Sequence, residues 1–314
     1  MRRVHGPALS HERDYLAAEE PLEIRVEGHS VAVVMRTPGE DEELAAGFAV
    51  TEGLVRTARD VIEIRHRPHC LPSSRDRRDQ SGPSGTASRG PVPTSNGRNV
   101  RNSVASQHGL ALQRSDGNLI NVRLRRPETL DLKRLTRHVF SSSSCGICSK
   151  ASIDAVRQQF PPIEDEFEFD SDVLLGLPTA LASAQETFKR TGGLHACALF
   201  DLTGRLVVLR EDVGRHNALD KVVGWALLRD RLPLRQHLML LSGRASFEMM
   251  QKALAAGIPV VAAISAPSSL AVEFASESGQ TLVGFLRGDR MNIYAGAGRL
   301  SNRAVEASQL KLDT

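Results

Sequence analysis

The chain has 314 residues, and 41% of them are hydrophobic, which is enough to bury the core of one large or two modest domains. Its 40 basic and 37 acidic residues are interleaved and only 4% of residues are aromatic, which argues against a nucleic-acid partner. No apolar run approaches the roughly 18 residues of a membrane span. The opening segment MRRVHGPALSHERD also lacks the apolar core of a signal peptide. We therefore expect a cytoplasmic protein with reduced thiols and no membrane contact.

The first predicted elements form a small α+β domain over residues 21–140, after an N-terminal tail at 1–20. The alternating segments PLEIRVEG and HSVAVVMRT predict two strands, and an amphipathic helix is predicted from Asp41 to Leu54. From about residue 65 to 109 the composition shifts to Arg, Ser, Gly, Pro and Asn, which predicts a disordered basic insertion. A strand at 118–124 and a helix around 130–139 follow.

The segment SSSSCGICSKASI contains two of the four cysteines of the chain. Cys145 and Cys148 are separated by two residues, and a helix starting just after them would lower the pKa of Cys145 through its N-terminal dipole. The serines and the intervening glycine indicate an exposed loop, so residues 141–160 are predicted to form this loop and the helix after it. An exposed thiolate of this kind indicates sulfur chemistry.

Other interpretations of the cysteines stay open. Half of a structural zinc site would need a second pair of ligands, but Cys197 is isolated and Cys70 is flanked only by His66 and His69. A structural disulfide would need a framework of paired cysteines. A thioredoxin-type dithiol would follow the first strand of a βαβ unit, whereas the strand pattern ahead of Cys145 is weak. We predict no bound metal.

Residues 161–314 begin with an acidic linker and then alternate between short apolar strands and helices. This alternation predicts an α/β domain with a mainly parallel sheet covered by helices on both faces. The predicted strands are 196–200, 206–209, 237–241, 259–264 and 281–286, and the predicted helices are 215–228, 246–256 and 268–277.

Three polar loops follow successive strands of this predicted sheet. They are Ser242-Gly243-Arg244, Ser265-Ala266-Pro267-Ser268 and Arg287-Gly288-Asp289-Arg290. Ligands of open α/β sheets bind beyond the carboxyl ends of the strands, and helix N-termini and arginines favour phosphate oxygens. The loops predict a site for a phosphorylated ligand, although ordinary turns use the same small residues.

Two histidines and two carboxylates also lie near predicted strand and helix ends. His195 opens the first strand of the domain, and Glu211, Asp212 and His216 surround the start of the first long helix. Such groups could act as acids and bases. Asp212 could equally serve only as a helix cap, and a lone histidine in such a place is more often structural.

Taken together, long segments of the chain resemble the FdhD family of sulfur carrier proteins, which formate dehydrogenase activity requires. They span most of the chain outside the insertion. The matching segments are LAAGFAVTEGL at 44–54, SSCGICSKASI at 143–153, TGGLHACALF at 191–200, REDVGRHNALDKVVG at 210–224, LSGRASFEMMQKA at 241–253, AGIPVVAAISAPSSLAVEFA at 256–275 and TLVGFLRGDRMNIY at 281–294.

The resemblance implies that the protein accepts sulfur as a persulfide from a cysteine desulfurase. The sulfur would then pass to the molybdenum cofactor, bis-molybdopterin guanine dinucleotide, before the cofactor enters the catalytic subunit of formate dehydrogenase. Cys145 matches the persulfide-bearing cysteine and Cys148 its companion. The cofactor is implied as a substrate rather than as a permanently bound group.

The resemblance also assigns the cofactor site and the architecture. The matching site residues are Phe285, Leu286, Arg287, Gly288, Asp289 and Arg290, and the loop Ser242, Gly243 and Arg244 is predicted to border them from a neighbouring strand. The larger domain is expected to be a three-layer domain similar to the cytidine deaminase fold. A homodimer is expected as well.

Two rival functions belong to other classes. A zinc-dependent nucleobase deaminase needs His-x-Glu followed by Pro-Cys-x-x-Cys, and the nearest counterpart, His195-Ala196-Cys197, lacks the glutamate. A non-catalytic chaperone that binds the cofactor and hands it on would keep the arginine loops without a reactive sulfur. Cys197 itself is expected to be buried in a strand and inert.

Overall fold

The computed structural model describes residues 2–5, 8–11, 13–66, 118–129, 160–165 and 167–301. These residues form a mixed α/β fold with four sheets and six α-helices. Cys145, Cys148, the predicted helix around 130–139 and nearly all of the predicted insertion lie outside them. None of the helices in the described ranges is long and apolar enough to cross a membrane.

The N-terminal part contains a hairpin and a four-stranded sheet. The strands are β1 (Arg2–His5), β2 (Ala8–His11), β3 (Glu20–Val26), β4 (His29–Arg36), β5 (Val61–His66) and β6 (Leu119–Leu124), and the larger sheet has the order β4-β3-β6-β5. Helix α1 (Asp41–Thr51) contacts β5 and β6. The two predicted strands, the helix and the strand at 118–124 are confirmed. Arg65 and His66, at the approximate start of the predicted insertion, still belong to β5 and pair with β6.

Two helices that the sequence interpretation missed follow residue 160. Strand β7 (Phe169–Asp170) leads into α2 (Ser171–Ala184), and α3 (Glu186–Thr191) comes directly after it. The Asp170 carboxylate accepts a hydrogen bond from the amide of Asp172 and so caps α2. Leu174, Leu177 and Leu181 lie on one face of α2 and are fully or almost fully buried.

The central sheet has six strands in the order β13-β12-β11-β10-β8-β9. They are β8 (His195–Asp201), β9 (Leu206–Asp212), β10 (His237–Leu241), β11 (Val260–Ala263), β12 (Thr281–Arg287) and β13 (Arg290–Ala295). A short strand β14 (Leu300–Ser301) pairs with β7. Neighbours β10, β11 and β12 are parallel, whereas β8, β9 and β13 pair antiparallel with their neighbours.

The prediction of a mainly parallel sheet is therefore wrong, since only the three adjacent strands β10, β11 and β12 pair in parallel. Strands β8 and β9 are joined by the turn Asp201-Leu-Thr-Gly204, in which the Asp201 carboxylate accepts hydrogen bonds from the amides of Thr203 and Arg205. A turn this short can connect only antiparallel strands. Strand β13 was not predicted at all.

Helices cover both faces of this sheet, as predicted. Helices α4 (Arg215–Leu228), α5 (Phe247–Ala255) and α6 (Ser269–Glu277) pack on one face, and α2 packs on the other. Along β8, Cys197 and Leu199 face the hydrophobic core between the sheet and helices α4, α5 and α6. Ala198 and Phe200 face the core between the sheet and α2. The domain therefore has three layers, with the sheet between two layers of helices.

A close helix crossing joins the two parts of the protein. Helices α1 and α4 approach so tightly that a Cβ on Gly47 would collide with the Asp220 carbonyl, and one on Gly224 with the Glu43 carbonyl. Beside the crossing, the Lys252 ammonium donates hydrogen bonds to the Thr51 hydroxyl and the Asp220 carboxylate at 2.8–2.9 Å. The hydrophobic core is continuous across the crossing.

Candidate functional site

The three predicted polar loops lie together at one edge of the central sheet. Strands β10, β11 and β12 are adjacent and parallel, so their carboxyl ends meet at this edge. The loop after β10 leads into α5, the loop after β11 leads into α6, and the turn after β12 leads into β13. One detail of the prediction is wrong: the loop at 242–244 and the turn at 287–290 are not on neighbouring strands, because β11 lies between them.

Hydrogen bonds connect the three loops to one another. The Ser265 amide donates to the Gly243 carbonyl at 3.3 Å, and the Phe285 amide donates to the Ser265 carbonyl at 3.2 Å. The Arg287 guanidinium donates through Nε to the Ile264 carbonyl at 3.1 Å. The three loops are thus held in place by hydrogen bonds within the protein.

The backbone is strained just before the arginine turn. Phe285 has φ 51°, a left-handed conformation that a bulky residue rarely adopts, and it lies in an irregularity between β12 and β13. Such strain costs about 1–3 kcal/mol and is found mostly at functional sites. At the turn itself, Gly288 has φ 56° in the first central position between Arg287 and Arg290, where a glycine suits a two-residue hairpin.

The irregularity determines which side chains face solvent. Phe285 is 38% exposed, and Arg287, Asp289 and Arg290 are exposed, whereas Leu286 is fully buried in the core on the α2 side of the sheet. Arg244, on the loop after β10, is exposed as well. The solvent-facing arginines at this edge can hold an anionic group by charge-assisted hydrogen bonds.

His195 lies at the same edge, at the start of β8. It pairs across the strands with Asp212, and a Cβ added to Gly243 would lie 3.4 Å from its Nδ1 atom. Burial lowers the pKa of His195, and the positive charges of Arg215 and Arg244 lower it further. The charge of Asp212 acts in the opposite direction but does not reverse the lowering.

A second polar cluster lies between the first turns of α4 and α5. His216 Nε2 lies 2.8 Å from Glu248 Oε2, and both side chains are largely buried. The Nε of Arg215, the Nε2 of His216, the hydroxyl of Ser246 and the Oε1 of Glu248 are buried without a hydrogen-bond partner of good geometry among the described residues. Sequence reasoning missed Ser246 and Glu248, although both follow the loop 242–244 and flank the start of the predicted helix.

The two carboxylates considered as acids and bases have structural roles instead. Asp212 is fully buried, forms an ion pair with Lys221 at 2.9 Å and accepts hydrogen bonds from the amides of Thr37 and Gly214. It fixes the start of α4, which agrees with the helix-cap interpretation. Glu211 accepts hydrogen bonds from the first amides of α3.

Of the four cysteines, Cys197 is the one that lies among the residues that the structure describes. Cys197 is fully buried in β8, as predicted, and burial raises the pKa of its thiol, so it is unreactive. Cys145 and Cys148 belong to the residues outside the description. Within the described ranges, no group of three His, Cys, Asp or Glu side chains could hold a metal ion.

The fold and the site define an α/β protein whose central sheet carries arginine-rich loops at one edge. A family model described as the FdhD/NarQ family matches residues 17–301. The chain therefore belongs to the FdhD/NarQ family, and the resemblance of its motifs to that family is confirmed.

Relatives with assigned names agree with the family model. The chain is 45% identical over 312 residues to a protein of Streptomyces avermitilis named sulfur carrier protein FdhD, covering 97% of this chain and 95% of that one. It is 47% identical over 306 residues to the protein of the same name from Mycobacterium tuberculosis, covering 96% and 97%.

A solved structure has the same fold. It is the crystal structure of a candidate formate dehydrogenase accessory protein from Desulfotalea psychrophila. The TM-score is 0.64 with 22% identity, and the alignment covers 96% of this chain and 97% of that one.

Proposed function

We propose that the protein is a sulfur carrier that serves formate dehydrogenase. The observation that carries this proposal is the high identity, over nearly the whole chain, to relatives named sulfur carrier protein FdhD. The chain also contains the Cys145-Gly-Ile-Cys148 motif that sulfur transfer needs. The donor proposed is a cysteine desulfurase, and the acceptor is the molybdenum cofactor, bis-molybdopterin guanine dinucleotide, as a substrate.

Sulfur acceptance is a thiol exchange at Cys145. The Cys145 thiolate attacks the outer sulfur of the desulfurase persulfide, a new S–S bond forms on Cys145, and the desulfurase cysteine leaves as a thiolate. No external oxidant or reductant is consumed, because the sulfane sulfur keeps its oxidation state. Sulfur moves in this way without release of free sulfide.

Delivery can follow either of two routes. In the first, the Cys148 thiolate attacks the inner sulfur of the persulfide on Cys145, so that a Cys145–Cys148 disulfide forms and hydrosulfide is expelled towards the metal. The disulfide must then be reduced by a cellular dithiol. In the second, the outer sulfur passes directly to the cofactor: its bond to the Cys145 sulfur breaks, the Cys145 thiolate is released, and a reduced metal in the cofactor supplies the two electrons that bring the sulfur to the sulfide level.

The loops at the sheet edge are proposed to hold the cofactor by its guanosine diphosphate arms. These arms carry negative charge, and Arg244, Arg287 and Arg290 are exposed at the edge to which a dinucleotide would bind. Phe285 and Gly288 shape the turn, Leu286 anchors it in the core, and Asp289 completes it. Ser242 and Gly243 border the same crevice.

The setting of the reaction is part of the proposal. We propose a cytoplasmic homodimer that meets the desulfurase and the catalytic subunit of formate dehydrogenase in turn, with a central domain similar to the cytidine deaminase fold. A deaminase reaction is disfavoured because Cys197 follows His195 where that chemistry needs a glutamate two residues after the histidine. A cofactor chaperone without sulfur chemistry is separated from the carrier by the following experiment.

Complementation of a strain that lacks the gene tests the proposal. The Cys145→Ala variant should fail to restore formate dehydrogenase activity, and Cys148→Ala should be similarly or less impaired. The Cys70→Ala variant, which changes a cysteine outside the motif, should restore activity like the unchanged protein. Full activity with Cys145→Ala would favour the chaperone over the sulfur carrier.

A further inference from the structure

The N-terminal hairpin makes its main contacts within itself. Strands β1 and β2 pair antiparallel, with Arg2 opposite His11 and Val4 opposite Leu9. Among the described elements, these two strands contact each other extensively and no third element to a comparable extent. Leu16, in the linker that follows, is 80% exposed. A two-stranded hairpin is at best marginally stable alone in water, so this one needs a surface to pack on.

The two faces of the hairpin differ in chemistry. Successive residues of a strand alternate between its faces. One face carries an apolar cross-strand pair flanked by basic residues: Val4, Leu9, Arg2 and His11. The other face carries small and polar residues: Arg3, His5, Ala8 and Ser10. The first face is therefore the one that needs cover, and it fits an apolar surface with carboxylates beside it.

A cleft of about 580 Å³ on the body of the protein has this composition. It lies between the first turn of α1, the end of β5 and the end of α4. Its volume is within the range of ordinary binding pockets. Leu228, which lines it, is 42% exposed, and Glu40 and Glu42 line it from the side of α1. The cleft thus combines an exposed apolar side chain with acidic residues.

The carboxylates of the cleft are not equally available. Asp41 and Glu43 are already bound by arginines at 2.6–2.8 Å. The Glu40 carboxylate lies 3.7 Å from the buried Lys221 ammonium. Glu42 is exposed and has no ion pair within the described ranges. Glu42 is therefore the carboxylate that can receive a cation from another molecule.

We propose that two copies of the chain exchange their N-terminal hairpins. The face with Val4 and Leu9 packs on Leu228 in the cleft of the other copy, and Arg2 pairs there with Glu42. Each copy gives one hairpin and receives one, so the contact closes about a twofold axis. The hairpin precedes residue 17, where the match to the family model begins. The homodimer itself is part of the proposed function, on which this exchange rests.

Both parts of the contact have a physical role. Burial of the three apolar side chains supplies affinity, whereas a charge pair at the rim selects the partner and fixes the register. Stacking of the two hairpins on each other through the same face is disfavoured, because it would bring Arg2 and His11 of both copies together. Within one chain, the residues that line the cleft do not include the hairpin.

Sedimentation equilibrium of the full-length protein at several concentrations tests the exchange. The proteins are the unchanged chain, Arg2→Glu, Glu42→Arg, the double variant Arg2→Glu/Glu42→Arg and the control Arg3→Glu. Arg3 is the neighbour of Arg2 on the other face, so its replacement alters the net charge equally. Thermal unfolding checks that each variant is folded. Leu9→Glu, with Ala8→Glu as its control, gives a second comparison of the two faces.

We expect the unchanged protein to form a dimer. Arg2→Glu and Glu42→Arg should each raise the dissociation constant of the dimer at least about tenfold, because every dimer contains the contact twice. The double variant, in which the two charges are exchanged, should dimerise nearly as tightly as the unchanged protein. Arg3→Glu should not differ from the unchanged protein. Leu9→Glu should weaken the dimer and Ala8→Glu should not.

Two kinds of result would contradict the exchange, with different consequences. If Arg2→Glu dimerises as tightly as Arg3→Glu, or the double variant no more tightly than the single ones, the hairpins do not bind these clefts and the proposed homodimer is held together elsewhere. If the unchanged protein is a monomer throughout the concentration series, the proposed homodimer is wrong and the exchange falls with it.

Discussion

Two buried carboxylates near helix starts differ in how fully their oxygens are paired. Asp212 has an ion pair and three neighbouring donors, including Thr37, which is far away in sequence. Glu248 has one oxygen beside His216 and one without a partner in the described residues. A sequence motif presents both simply as acids near a helix start, because their partners come from other elements. Only the packed structure separates the satisfied group from the open one.

The arginine turn leads to a prediction about phosphate binding. Arg290→Ala should weaken the binding of guanosine diphosphate by about ten- to a hundredfold, since a charge-assisted hydrogen bond is worth roughly 1.5–3 kcal/mol. Calorimetry measures the effect. Arg205→Ala is the matched control, because Arg205 is also exposed but lies at the β8–β9 turn. Unchanged affinity in both Arg290→Ala and Arg244→Ala would place the cofactor elsewhere.

His195 leads to a prediction about pH. Burial and the charges of Arg215 and Arg244 lower the pKa of His195 below its ordinary value of 6.5. Below pH 6.5 the unfolded chain therefore binds a proton that the folded protein does not, so the free energy of unfolding should fall as the pH falls. In His195→Asn this fall should be smaller. Urea unfolding on both sides of pH 6.5 measures it, and an equal fall in both proteins would contradict the explanation.

At the scale of elements, the crossing of α1 and α4 holds the N-terminal part against the central sheet. Backbone meets backbone at Gly47 and Gly224, and the hydrogen-bonded Lys252 joins Thr51 and Asp220 beside them. The charges of Asp220 and Glu52 outweigh the effect of burial and raise the pKa of Lys252, which stays protonated. The crossing therefore combines steric fit with a paired buried charge.

Because α1 and α4 cross so closely, we predict that position 224 tolerates no side chain. Gly224→Ala should reduce the free energy of unfolding by about 3 kcal/mol or more, because the new methyl group collides with the Glu43 carbonyl and the helices must separate. Gly176→Ala in α2 is the control: nothing lies within 4 Å of the added Cβ, so it should be neutral or slightly stabilising. Urea unfolding compares the two. A Gly224→Ala protein as stable as Gly176→Ala would refute the close contact.

Elements with strong apolar periodicity could be predicted from the sequence, and weakly patterned ones could not. Helix 215–228 was predicted with its observed bounds, because its apolar stripe is regular. Helix α2 was not predicted because it follows an acidic stretch and contains Pro178, which is unusual inside a helix. Its buried leucines nevertheless recur at helical spacing. Strand β13 was missed because it is an edge strand with mostly exposed side chains.

At the scale of the whole molecule, the position of the three polar loops at one edge of the sheet could be predicted. The order of the strands that carry them could not. Loops that follow parallel strands necessarily share an edge, so the residues around 242–244 and 287–290 came together as expected. The strand order, which inserts β11 between them, and the antiparallel pairing of β8, β9 and β13 depend on contacts between distant segments that a single sequence does not reveal. The convergence of α4 and α5 around Glu248 depends on the same pairing.

The central claim is that Cys145 carries sulfur, and intact-protein mass spectrometry tests it most directly. The protein is incubated with a cysteine desulfurase and cysteine, and its mass is compared with that of an untreated sample and of Cys145→Ala treated in the same way. We predict that the unchanged protein gains the mass of one sulfur atom, that reduction removes it, and that Cys145→Ala gains none. Equal gain of sulfur by Cys145→Ala, or no gain by the unchanged protein, would contradict the account.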